Sequence, residues 1–176
     1  MDKKGLGLLE LLGAIVIFGL MVSMLSVLIS FILNASDKIT EKSRANTEGM
    51  YLISLIESKL QSFGATDYQI CLDTTECIIV ENHFSYVLDE ETENILLETY
   101  EPALTLRFEI KNHAFYIDNS EISLRGFMLH EDSSIEIIVL QNTVRMKFYF
   151  VLISNNENTY PFTISKSFEK QEIPGS

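Results

Sequence analysis

The chain begins with the short polar stretch Met1-Asp2-Lys3-Lys4-Gly5, then runs from Leu6 to Leu33 with a single charged residue, Glu10. About twenty apolar residues suffice to cross a bilayer as a helix. In hydrocarbon every backbone N–H and C=O must be satisfied within the segment, so a run of this kind folds as a helix. A secretory signal peptide has an apolar region of roughly 7–15 residues, and the stretch from Leu11 to Leu33 exceeds it, although Asn34-Ala35-Ser36 weakly resembles a signal-peptidase site. An ordinary single-pass anchor is the stronger competitor. Neither explains Glu10, because a carboxylate at the centre of a bilayer costs about 2.5–3.5 kcal/mol on insertion scales, less near the interface.

A cut between Gly5 and Leu6 would turn Leu6 into a free α-amine, with Glu10 one helical turn further on. Lys3, Lys4, Gly5, Leu6, Glu10, Leu11 and Leu12 together resemble the signal of type IV prepilins and pseudopilins, the class III leader. That resemblance implies removal of residues 1–5 by a prepilin peptidase, N-methylation of Leu6, and Glu10 as the glutamate at the fifth mature position. The sequence departs from the family pattern in two places. Leu6 stands where Phe is usual, and Gly7-Leu8 replaces Thr-Leu. A cut after Gly7 would leave Glu10 too close to the new terminus for the family spacing, which favours Gly5. The expected partners are other pilin or pseudopilin subunits, the prepilin peptidase, the inner-membrane assembly platform and membrane lipid. Length and the placing of strands look like minor subunits, similar to J-type pseudopilins and the pilW-like or competence-associated group.

Charge and cysteines fit an exported head on a membrane stalk. The formal charge is −12 over 176 residues, and it becomes about −13 once the leader is removed. Such a balance argues against bulk attraction to nucleic acid or anionic lipid. By the positive-inside tendency, Lys3 and Lys4 before the apolar run are expected to put the N-terminus in the cytoplasm and everything after residue 33 outside. The two cysteines, Cys71 and Cys77, flank Leu72-Asp73-Thr74-Thr75-Glu76 and are bordered by Ile70 and Ile78-Ile79-Val80. This pattern reads as two short strands with the sulfurs facing across a polar turn. An oxidising compartment favours a disulfide over two separate buried thiols.

The helix is expected to continue past the membrane. No Pro occurs between Ser36 and Phe63, charges alternate in sign, and apolar residues reappear as Ile39, Leu52, Ile53, Ile56, Leu60 and Phe63, the later set having helical spacing and defining one face. Gly64 is the expected stop, and a helix from Leu6 to Phe63 would be on the order of 85 Å long. Gly13, Gly19 and Gly49 are candidate flexible points.

From Tyr68 the apolar period changes to two. Phe84/Tyr86/Leu88, Leu104/Leu106/Phe108/Ile110, Ile135/Ile137/Val139, Val144/Met146/Phe148/Phe150 and Tyr160/Phe162/Ile164 each mark one face of a strand. Turns are expected at Asp89-Glu90-Glu91, Lys111-Asn112-His113, Asp118-Asn119-Ser120, Glu131-Asp132-Ser133-Ser134 and Asn155-Asn156-Glu157-Asn158. The expected fold class is α+β, with a long N-terminal helix packed on a mainly antiparallel sheet. Its segments are a leader (1–5), a membrane and filament-core helix (6–33), an amphipathic helix (34–63) and a β-rich extracytoplasmic head (64–176).

Motifs for chemistry are lacking. No nucleophile triad, phosphate loop or paired-Cys motif can be nominated, so an enzyme is not expected and no cofactor is implied. His83, His113 and His130 match no zinc-ligand spacing. The acidic runs Asp89-Glu90-Glu91-Thr92-Glu93 and Glu131-Asp132 lack the alternating ligands and glycine of a calcium loop and read as solvated turns. Assembly is the expected function, in a pilus, a type II secretion pseudopilus or a competence system. The alternatives are a tip-displayed adhesin or DNA-binding module, for which Arg107, Lys111, Arg145 and Lys147 would form the local basic patch, and a membrane-anchored protein with no filament role.

Overall fold

A computed structural model describes residues 3–71, 76–89 and 94–171, with side chains from residue 7 onward. Among the described residues a single helix, α1, spans Lys3–Phe63 and is followed by nine strands, giving the α+β layout expected from the period change. By its contacts the chain divides into two units, residues 1–44 and 45–176.

The first unit is helix throughout its described length. Its apolar side chains are exposed on every side, from Leu8 at 68 % and Phe18 at 69 % to Phe31 at 71 %. A helix that is apolar all round and covered by no protein suits a lipid environment, so the segment is compatible with a single-pass membrane protein. The hydroxyls inside it are satisfied locally. Ser23 donates to the Leu20 carbonyl at 2.8 Å, and Ser26 and Ser30 donate one turn back at 3.0 Å. Ile39 is 69 % exposed.

In the second unit, residues 45–63 of α1 present Ala45, Gly49, Leu52 and Ile56 as a buried stripe at helical spacing. Ile53, Leu60 and Phe63 pack at its margins. The helix ends at Gly64, whose φ of +67° is the left-handed conformation that glycine adopts without a steric penalty. Asn82 caps the end from a neighbouring strand by donating from Nδ2 to the Phe63 carbonyl at 2.8 Å.

Sheet A contains β1 (Asp67–Ile70), β2 (Cys77–Leu88), β3 (Ile95–Lys111), β4 (Ala114–Ile117) and β5 (Ser120–Ile122), in that spatial order and antiparallel throughout. Sheet B is built on β8 (Thr143–Ser154). Strands β6 (Phe127–Leu129) and β7 (Ser134–Leu140) pair with it, and β9 (Thr159–Glu169) pairs along nearly its whole length. The turns after β3 and β4 use Asn112-His113 and Asp118-Asn119, all four at positive φ, which matches the right-handed twist of a tight hairpin. The sheets meet where the Leu129 N–H donates to the His113 carbonyl at 2.8 Å.

One core forms between the helix stripe and the inner faces of both sheets. At its centre Phe108, Phe115, Phe148 and Phe150 are fully buried, with ring centroids 5.1 Å apart for Phe115–Phe150 and 5.5 Å for Phe108–Phe148. The alternation expected for Val144, Met146, Phe148 and Phe150 is matched by burial of all four.

The alternation fails at two places: Val139, at the end of the Ile135/Ile137/Val139 set, is 50 % exposed, and the second failure lies in β2 and β3. Tyr86 and Leu88 are 64 % and 60 % exposed, and Leu104 is 47 % exposed, although each continues a buried face. β1 flanks β2 only from Ile78 to Glu81, and β4 flanks β3 only from Phe108 to Lys111. The remainder of β2 and β3 projects as a two-stranded arm with Tyr86, Val87, Leu88 and Ile95 to Leu97 uncovered. A sheet face becomes core only where another layer lies on it.

Candidate functional site

Lys3, Lys4, Gly5 and Leu6 lie within α1, and the backbone is helical across the expected cleavage point. Their side chains, and residues 1–2, lie outside the described set. Glu10 is exposed, and no described side chain pairs with it. On a helix its neighbours three and four positions on are Gly13 and Ala14, both small. Gly13 and Gly19 have open space around them. Gly49 does not: a Cβ there would lie 2.5 Å from the Phe162 ring, so this glycine permits close packing of the helix against β9 rather than flexibility.

Cys71 and Cys77 form a disulfide with a Cα–Cα distance of 5.5 Å, across the turn end of the β1–β2 hairpin, next to the Ile70–Ile78 pair. The expected turn residues 72–75 lie outside the described set. Glu76 continues the connection, its carbonyl accepting from the Ile110 N–H at 2.9 Å.

The four basic residues do not form one patch. Arg107 and Lys111 belong to β3 in sheet A, whereas Arg145 and Lys147 belong to β8 in sheet B. Arg107 is bound to Glu109 at 3.2 Å and Lys147 to Glu136 at 3.4 Å, so two of the four charges are neutralised. Of the acidic runs, residues 90–93 lie outside the described set, and Asp132 pairs with His130 Nδ1 at 3.1 Å.

Strand pairing creates a cluster that spacing did not reveal. Asp67 sits directly opposite Glu81 in the β1–β2 ladder, and His83 follows two residues later on β2. Ligand atoms of the three lie within 4.8 Å of one another. The separation of 14 to 16 residues carries no motif; only the hairpin register brings the groups together. Glu109, 7 % exposed, is a second buried carboxylate, held by Arg107.

Comparison with protein families, with curated proteins and with solved structures finds no match for this chain.

Proposed function

We propose that the chain is a minor pilin or pseudopilin, a structural subunit of a type IV pilus, a type II secretion pseudopilus or a competence apparatus. The observation that carries this reading is the leader itself: Lys3-Lys4-Gly5, then an uninterrupted apolar helix whose one charge, Glu10, follows the cut by one helical turn. After processing, Glu10 of one subunit pairs with the N-methylated amine of Leu6 on a neighbour. Two charges buried together in low dielectric offset each other's desolvation, whereas either one alone is strongly unfavourable. Packing of residues 11–33 between subunits supplies the remaining cohesion.

Two structural facts support assembly. The apolar side chains of residues 8–33 are uncovered within the chain, and the β2–β3 arm offers a further apolar surface in the head. The dispersed and partly neutralised basic residues give no support to a DNA-binding module. The experiment is intact-mass analysis of the chain from its native host. A mature chain beginning at methylated Leu6, and replacement of Gly5 by a bulky residue that blocks the cut, are the expected results. An uncut, unmodified N-terminus would overturn the reading.

A further inference from the structure

We infer that Asp67, Glu81 and His83 form a binding site for a divalent transition-metal ion of the zinc type, clamping β1 onto β2 at the exit of the long helix. The inference is independent of the filament reading, because all three residues lie in the second unit and none belongs to the leader.

Two carboxylates directly opposite each other across an antiparallel ladder repel, and such a pair needs a cation. The site gathers those available within the chain. Glu81 Oε2 lies 3.2 Å from His83 Nε2, and Asp67 Oδ1 lies 3.0 Å from Lys170 Nζ while also accepting the Tyr68 N–H at 2.8 Å. The environment is half-enclosed, with side-chain exposures of 24 % for Asp67, 12 % for Glu81 and 30 % for His83. Removal from bulk water strengthens the demand for a compensating charge.

The backbone holding these groups is pinned by one residue. Thr66, 4 % exposed, donates its N–H to the Glu81 carbonyl at 2.8 Å, and its hydroxyl contacts the same oxygen at 3.2 Å. That hydroxyl also accepts the His83 N–H at 3.0 Å. Residue 66 therefore fixes the strand carrying Glu81 and His83 relative to its own neighbour, Asp67. The β2–β3 register is irregular between Asn82 and Phe84, so His83 stands where the ladder is interrupted. Bulges of this kind re-aim a side chain.

The donor chemistry selects the metal. Two carboxylates and a neutral imidazole balance a dication and leave a position for water, the ligand number of an open zinc site. Calcium prefers six to eight oxygen ligands, and an imidazole is a poor substitute for them. Tetrahedral zinc with bonds near 2.1 Å needs donors about 3.4 Å apart. The His83–Glu81 pair is already at 3.2 Å, and a side-chain rotation of Asp67 closes the remainder of the 4.8 Å span.

The test uses the full-length, untagged chain in detergent, disulfide intact and stripped with a chelator, titrated with Zn2+ against a chromophoric competitor. Histidine-selective NMR serves as a second readout. One equivalent is expected to bind, moving the His83 resonances while those of His113 and His130 stay in place. Asp67→Asn and His83→Gln, both near-isosteric at partly exposed positions, are expected to weaken binding at least about tenfold, and Ca2+ in excess is expected not to displace the ion. Absence of stoichiometric uptake, movement of His113 or His130 instead of His83, an affinity in either variant unchanged from that of the unsubstituted chain, or displacement by Ca2+ would each overturn the inference.

Discussion

Replacing Gly49 by Ala sets two opposed terms against each other. In a helix interior Ala is favoured over Gly by about 1 kcal/mol. A Cβ at this position, however, would stand 2.5, 2.5 and 2.6 Å from three carbons of the Phe162 ring, where ordinary contact is 3.4–4 Å. Relief requires the ring or the helix to move by about 1 Å, and overpacking of a close contact typically costs about 1–3 kcal/mol. A shortfall of this size belongs at the upper end, so the expected net effect is a loss of about 1–2 kcal/mol. In a Phe162→Ala background the obstruction is gone and the same change should stabilise by about 0.5–1 kcal/mol. The sign therefore inverts, with a coupling of about 2 kcal/mol, well above the scatter of a double-mutant cycle. The assay is denaturant unfolding of the detergent-solubilised chain followed by near-ultraviolet circular dichroism, which reports the aromatic core rather than the micelle-bound helix. If Gly49→Ala stabilises in both backgrounds, the helix is not seated against β9 through this glycine.

Glu10→Ala should leave the chain processed and membrane-bound while lowering its incorporation into filaments about tenfold or more, since it strands a neighbour's buried amine. Unchanged subunit content in sheared filaments would remove the proposed pairing. Opening the Cys71–Cys77 bridge by a double Ser substitution should destabilise the head by about 2 kcal/mol in the chain-entropy account, the bridged residues being six apart. An unaltered denaturation midpoint would show that the turn end of the β1–β2 hairpin is held by other contacts.

Much of the layout was legible in the residue order because it depends on near neighbours. The apolar run and the proline-free stretch after it specify a helix, and Gly64 marks its end at the position observed. The two-residue alternation of Val144 to Phe150 locates a strand and its buried face. The hairpin that unites Cys71 with Cys77 could be read from two short β-type runs around a polar turn. The short strands β4, β5 and β6 were less visible, since three or four residues carry too little periodicity. The proposed leader motif with Glu10 is local too: the spacing of Gly5, Leu6 and Glu10 is defined by chain distance alone.

What tertiary structure decided was which of these local patterns had something to pack against. Tyr86 and Leu88 continue the alternation begun at Phe84, yet they project into solvent because β1 and β4 are too short to carry the sheet that far. Gly49 resembles Gly13 and Gly19 in sequence, and only the approach of Phe162 gives it a packing role. Asp67, Glu81 and His83 are unremarkable along the chain and become neighbours through antiparallel register. Period and charge are properties of adjacent residues and are written directly into the sequence. Juxtaposition across a sheet depends on where distant segments come to rest, and that is settled by the burial of the whole core.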